Sequence, residues 1–229
     1  MSTKLTARFT PVMASLVAIT TMPAMAGGLY VGEFGQPNQG ASRAGAHALA
    51  EDASTASQNP AGVMFLDGEK IMLTGIVINS EIELDQDNQI SSSPPAVANA
   101  DGSRPASDGG DAGGWAFGAA SFYANQLSDR WGWGIALNSI SAAVLDHEDK
   151  KDFAGRYWAT DVDLLTITLL PSLSYKLTDN FSIGLGIPVM FAQLDMDVIV
   201  PGVAAGAAEG KAEIEDGDDT VAGINLSAL

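Results

Sequence analysis

Arg156 is one of few basic residues in the strand-rich part of the chain, and it stands between Gly155 and Tyr157. A guanidinium presents a planar fork of donors that holds a carboxylate through two charge-assisted hydrogen bonds. Two chemistries suit it: binding a ligand carboxylate, or an interior ion pair with Asp161 or Asp163. Catalysis would require a nucleophile with a positioned base, and His47 and His147 are the two histidines of the chain. His147 lies in the charged run Leu145-Asp146-His147-Glu148-Asp149, the setting of a solvated side chain. A phospholipase or protease is therefore not expected. There is no cysteine, so neither a disulfide framework nor a thiolate metal site is available, and no cofactor or metal is expected.

The elements that must position Arg156 are strands. From Leu165, odd positions carry Leu165, Ile167, Leu169, Pro171, Leu173, Tyr175 and Leu177, against Thr166, Thr168, Ser172, Ser174 and Lys176. After Thr178-Asp179-Asn180 the alternation resumes: Phe181, Ile183, Leu185, Ile187, Val189 and Phe191 against Ser182, Gly184 and Gly186. Side chains alternate across a strand, so each segment has one oily face and one small or polar face. Each runs past the roughly 9–11 residues that a tilted strand needs to cross a bilayer.

The module strand, tight polar turn, aromatic, Gly-rich strand occurs twice, at Leu127-Ser128-Asp129-Arg130-Trp131 and at Leu177-Thr178-Asp179-Asn180-Phe181. The other connections are long polar excursions, 85–114 before the first of these turns and 146–155 between the two. Short turns at one end and long loops at the other are the pattern of outer-membrane barrels. Trp131 and Trp133 fall on one face, where an interfacial aromatic girdle would lie. The pattern predicts strands at 70–84, 115–127, 131–145, 158–177 and 181–200, with a sixth beginning near Thr220. Six strands are too few to close a transmembrane barrel, and an open edge cannot face lipid. The expectation is an N-terminal part of a longer barrel, a monomer when complete.

The N-terminus reads as an export signal. Lys4 and Arg8 precede an apolar run, and Ala24-Met25-Ala26 is a small-x-small cleavage site, which predicts a signal peptide at 1–26. The chain carries 28 acidic against 11 basic residues, a net charge of −17, which argues against a nucleic-acid partner. Acids cluster in the predicted loops: Asp85, Asp87, Asp101, Asp108 and Asp111, then Glu213, Glu215, Asp216, Asp218 and Asp219. Membrane lipid and lipopolysaccharide are the expected surroundings. Asp85-x-Asp87 alone is too little to define a divalent-cation site.

Residues 27–67 are rich in Ala, Gly and Ser, with helical stretches expected at 41–50 and 53–57. Asn59-Pro60-Ala61-Gly62 is a helix start: Asn can cap free amides, and Pro suits the first turn because it lacks an N–H. Nothing here is long or oily enough to form a core alone. Such a segment must pack against something, and the lumen of the barrel formed by 68–229 is the place for it.

In order along the chain, these residues resemble the FadL/TodX type of outer-membrane transport proteins. Gly40-Ala41-x-x-Ala44-Gly45, Ala50-Glu51-Asp52-Ala53-Ser54 and Asn59-Pro60-Ala61-Gly62 are similar to that family's hatch and its Asn-Pro-Ala motif. Asp129-Arg130-Trp131-Gly132-x-Gly134 resembles the start of its third strand. Gly155-Arg156-Tyr157-x-Ala159 with Pro171-Ser172-Leu173-Ser174-Tyr175-Lys176 resembles a distinctive family run. The resemblance implies a fourteen-stranded antiparallel barrel plugged by the hatch, about six of whose strands lie in this chain. It further implies uptake of long-chain fatty acids or hydrocarbons, with release sideways through a gap in the wall. It places Arg156 and Tyr157 at the ligand-binding region and lets a mature N-terminus at Gly27 and Gly28 reach the pocket. Asn59, Pro60, Ala61 and Gly62 are expected as structural parts of the hatch. A general diffusion porin or structural barrel is the alternative. The chain departs from the family at Asn138-Ser139-Ile140-Ser141, where a Pro-x-Gly element is usual, and at Phe153, where tryptophan is common.

Overall fold

The computed structural model describes residues 37, 40, 42–84, 107–139, 142–150, 153–201 and 208–229. Within them one antiparallel sheet contains β1 Lys70–Asn79, β2 Trp115–Gln126, β3 Trp131–Asn138, β4 Ala142–Asp146, β5 Asp161–Thr178, β6 Phe181–Gly186, β7 Val189–Val200, β8 Gly210–Ala222 and β9 Asn225–Ala228. These nine pieces make six spans. β3 and β4 lie along one side of β5, β6 and β7 along its other side, and β8 and β9 continue the sheet on β7 and β6. The tight turns at 127–130 and 179–180 fall at one end; the connections 80–114, 147–160 and 201–209 fall at the other.

Two of the expected spans are thus broken. The third stops at Asn138 and resumes at Ala142, and the fifth is interrupted at Ile187-Pro188. Proline has no N–H to give to a ladder, but the backbone at the break stays engaged: Ile187 N–H donates to Pro171 O at 3.0 Å, and Pro188 O accepts from Gly223 N–H at 2.9 Å. β1 ends at Asn79, five residues early, although its ladder with the next span continues through Ser80 N–H to Gly114 O and Ala112 N–H to Ile82 O.

The acidic run expected in a loop is strand. Glu213, Glu215, Asp216, Asp218 and Asp219 all lie in β8. A bulge there puts Asp216 at φ 53°, and its N–H bonds to Asp195 Oδ1 at 2.6 Å. Of the other acids, Asp108 and Asp111 lie within the described residues; Asp85, Asp87 and Asp101 lie outside them.

Pairing fixes the two faces. Leu137, Leu169 and Val189 share the outward one with Ile167, Phe191, Leu173 and Leu185. These side chains are exposed, as are Ile71, Leu73, Phe117 and Leu226. A continuous apolar face of this extent does not face water; it matches the lipid-facing side of a barrel wall. Trp131 and Tyr175 pair at 4.7 Å beside the short turn, as an interfacial girdle would. Among the described residues no helix is long and apolar enough to cross a membrane.

The inward face is small and polar because another element occupies it. α1 Thr55–Gln58 and the following 3-10 helix Pro60–Phe65 lie against it. Ala56 meets Gly134, and Val63 and Met64 meet Gly132; at each glycine a Cβ would come within 3.0 Å of them. Ala53, Ala56, Val63 and Leu66 form one buried cluster with Phe122, Ala124, Ala136 and Leu170. The stretch expected as helix at 41–50 is a series of turns from residue 42, with Ser42, Arg43, Gly45 and Ala50 at positive φ.

Candidate functional site

The helical segment 55–65, the expected hatch, is fastened by hydroxyls on the inward face. Ser174 Oγ donates to Pro60 O at 2.5 Å, Ser182 Oγ donates to Ala61 O at 2.7 Å, and Ala61 N–H donates to Ser227 Oγ at 3.1 Å. Gly184 allows the close approach: a Cβ there would lie 2.4 Å from the Ala61 nitrogen. Pro60 opens the 3-10 helix as expected, but Asn59 makes no cap bond. Its amide instead donates to His47 O at 2.7 Å and Ala228 O at 3.2 Å, tying two parts of the hatch to the wall. Asn59, Pro60, Ala61 and Gly62 are all buried.

Above the hatch the inward face turns apolar. Leu145, Val162 and Met196 share it by pairing, as do Leu164 and Leu194. At this level strand pairing among the described residues is interrupted. Ala120↔Asn138 is the last pair between β2 and β3, and β4 pairs with β5. Residues 115–119 of β2 keep β1 on one side and, among the described residues, have no strand partner on the other. Contact returns at Asp146 N–H to Ala112 O, 3.1 Å. Five strand residues correspond to an unpaired stretch of about 17 Å. A cavity of about 470 Å³ lies there, lined by Leu73, Phe117, Gly118, Leu137, Asn138 and Ile167 among others.

Arg156 sits at the loop end of the same wall, in the turn before β5. Its carbonyl accepts from Ile199 N–H at 3.0 Å, and Thr160 N–H donates to Asp197 O at 2.9 Å, so this turn extends the β5–β7 ladder. The guanidinium is fully buried. Its partner is Glu209, not Asp161 or Asp163: Nη2 is 2.7 Å from Oε1, and Nε reaches Oε1 and Oε2 at 3.2 and 3.3 Å. Asp161 is taken by Lys150 at 2.8 Å. Tyr157 OH donates to Glu209 Oε1, accepts from Arg156 Nη2 at 2.7 Å, and its ring lies under the guanidinium, 4.3 Å from centroid to Cζ. The fork that suits a ligand carboxylate holds a carboxylate of the chain itself. The hydrogen bond from Arg156 holds the Glu209 carboxyl below the usual glutamate range against the opposing effect of burial; burial and Glu209 push the Tyr157 phenol up.

Sequence reasoning singled out Arg156 and Tyr157 but not their partner Glu209, which lies 53 positions away in sequence from Arg156 with no motif to mark it. Gly27 and Gly28 lie outside the described residues. Of the two histidines, His47 Nδ1 is 2.7 Å from Gln58 O, and His147 stacks on buried Phe153 at 3.9 Å. Neither arrangement is a nucleophile with its base.

The sequence profile described as outer membrane protein transport protein (OMPP1/FadL/TodX) matches residues 17–227. A long-chain fatty acid transport protein of Escherichia coli O6:H1 is 24% identical over 185 residues, covering 81% of this chain and 38% of the relative. Outer membrane protein P1 of Haemophilus influenzae is 23% identical over 192 residues, covering 81% and 40%. The crystal structure of a Pseudomonas aeruginosa FadL homologue aligns with a TM-score of 0.71 at 22% identity, over 88% of this chain and 49% of that one. The chain spans about two-fifths of the length of these curated relatives. It belongs to the OMPP1/FadL/TodX family of outer-membrane transport proteins, and its open sheet is part of that family's barrel.

Proposed function

We propose that the protein moves a hydrophobic compound, a long-chain fatty acid or a hydrocarbon, across the outer membrane and releases it sideways into the lipid. The observation that carries this reading is the unpaired stretch at 115–119, directly above a hatch that fills the inward face. A molecule in the apolar interior meets the hatch along the barrel axis and the gap at its side. A general diffusion porin needs an open axial path, and the hatch runs counter to that. The name of the E. coli relative favours a fatty acid; the pairing of Arg156 with Glu209 favours ligands without a charged head. Arg156 and Tyr157 then stand beside the ligand path, and a mature N-terminus at Gly27 and Gly28 completes the pocket. The outward face sits in lipid and lipopolysaccharide.

The test is a bulky residue in the gap. Gly118→Trp in the complete protein is expected to reduce uptake of labelled palmitate or toluene by proteoliposomes while equilibrium binding persists. Unchanged uptake with a folded, heat-modifiable variant refutes lateral release.

A further inference from the structure

Asn138 is the last paired residue at the lower lip of the wall gap. Directly across the ladder on the same inward face is Thr168. Both are almost fully buried, 2% and 3% exposed. Asn138 spends one donor on Ser57 Oγ of the hatch, through a long 3.4 Å contact. Its Oδ1 and the Thr168 hydroxyl have no hydrogen-bond partner among the described residues. Buried polar atoms are nearly always paired, and an unpaired one costs its full desolvation. Two adjacent exceptions, one of them lining the cavity at the gap, are therefore a place for a hydrogen-bonding group that is not part of the wall.

We propose that Asn138 and Thr168 form a subsite for the neutral polar end of an otherwise apolar ligand. The group it takes is a hydroxyl or other uncharged O–H. Oδ1 of Asn138 accepts from the ligand O–H, and the Thr168 hydroxyl donates to the ligand oxygen. A carboxylate anion suits it badly, because it has no proton for Oδ1 and neither residue carries positive charge. On the lipid side of the gap, Leu73, Phe117, Leu137, Leu165 and Ile167 receive the apolar remainder. The ligand reaches the pair when α1, whose hydrogen bond to Asn138 is the long Ser57 contact, shifts away. The subsite rests on the reading of the gap as the ligand's exit.

The experiment compares p-cresol with toluene, which differ by one hydroxyl, in equilibrium dialysis against nanodiscs of the complete protein. Thr168→Val keeps shape and strand preference and removes only the hydroxyl. It is expected to weaken p-cresol binding about three- to tenfold, the scale of one hydrogen bond, and to leave toluene unchanged or tighter. Asn138→Leu is expected to do the same. Should that variant fail to fold for want of its Ser57 contact, Thr168→Val decides alone. Equal p-cresol binding in wild type and a heat-modifiable Thr168→Val overturns the subsite, as does an equal loss for both probes. Binding of neither probe by the wild type overturns the underlying transport reading, and the subsite with it.

Discussion

Glu209 occupies the donor fork of Arg156 from the far side of a loop, with Oε1 2.7 Å from Nη2 and Nε within 3.3 Å of both oxygens. The arrangement clasps the turn before β5 to the base of β8. The side chains are unequal, since that of Arg156 is 1% exposed and that of Glu209 31%. Removing the acid strands a buried cation; removing the base frees an acid that water can reach. Glu209→Ala is therefore expected to destabilise the protein more than Arg156→Ala, by about 1.5–3 kcal/mol, the usual scale for a hydrogen bond to a charged group. Thermal unfolding in lipid checks the order, and equal losses contradict it.

The same pair sets a pH dependence. Because the Glu209 pKa is lowered on folding, its contribution is complete above the ordinary value of 4.5 and lost as pH falls through the lowered value. Wild type is expected to lose stability relative to Glu209→Gln as pH falls below 4.5. A constant difference between the two proteins over that range rules out the clasp as a stabilising contact.

Gly184 tests the seat of the hatch. A Cβ there meets Ala61 N at 2.4 Å and Pro60 C at 2.8 Å, both backbone atoms that cannot swing away, whereas one at Gly75 meets only Gly118 O at 3.9 Å. Gly184→Ala is expected to cost about 1–3 kcal/mol through overpacking and to raise small-solute conductance by lifting the hatch. Gly75→Ala should do neither. Planar-bilayer conductance of both variants is the measurement, and identical traces remove the hatch as a plug.

Ser174 and Ser182 supply the donors for the Pro60 and Ala61 carbonyls, and all four groups are buried. Replacing each serine by alanine leaves a buried acceptor unmet at about 1–3 kcal/mol. The double variant is expected to expose the hatch to protease while the barrel stays heat-modifiable. Cleavage at wild-type rate contradicts this.

Much of this was legible because lipid and hatch impose opposite demands on alternate residues. Leu165 to Phe191 shows oily positions outward, and Ser174, Ser182 and Gly184 inward, in the sequence itself. Toward the loop ends that contrast fades, which is why β8 with its Glu213-to-Asp219 run reads as a loop. The break after Asn138 was visible only as a departure from a familiar pattern. The Asn59 bonds to His47 and Ala228, and Glu209 as the partner of Arg156, join residues far apart in sequence, and no local spacing encodes such contacts.

The last prediction weighs Arg156 as a ligand contact against Arg156 as half of the clasp. A fatty-acid carboxylate that uses the guanidinium fork must first displace Glu209. Arg156→Ala should then weaken fatty-acid binding by about 1.5–3 kcal/mol and leave an alkane or arene unaffected, since its affinity comes from apolar burial. Arg156→Lys should recover part of the loss, because an ammonium lacks the planar fork. Glu209→Gln should act in the opposite sense: the fork loses its resident charge, so the fatty-acid anion binds more tightly than to wild type. Ligand titration of the four proteins in nanodiscs separates the cases. Tighter binding by Glu209→Gln with weaker binding by Arg156→Ala makes the pair a selectivity element. Equal affinity in all four leaves Arg156 and Glu209 as a structural clasp, and equal losses for charged and neutral ligands mean that the pocket has collapsed.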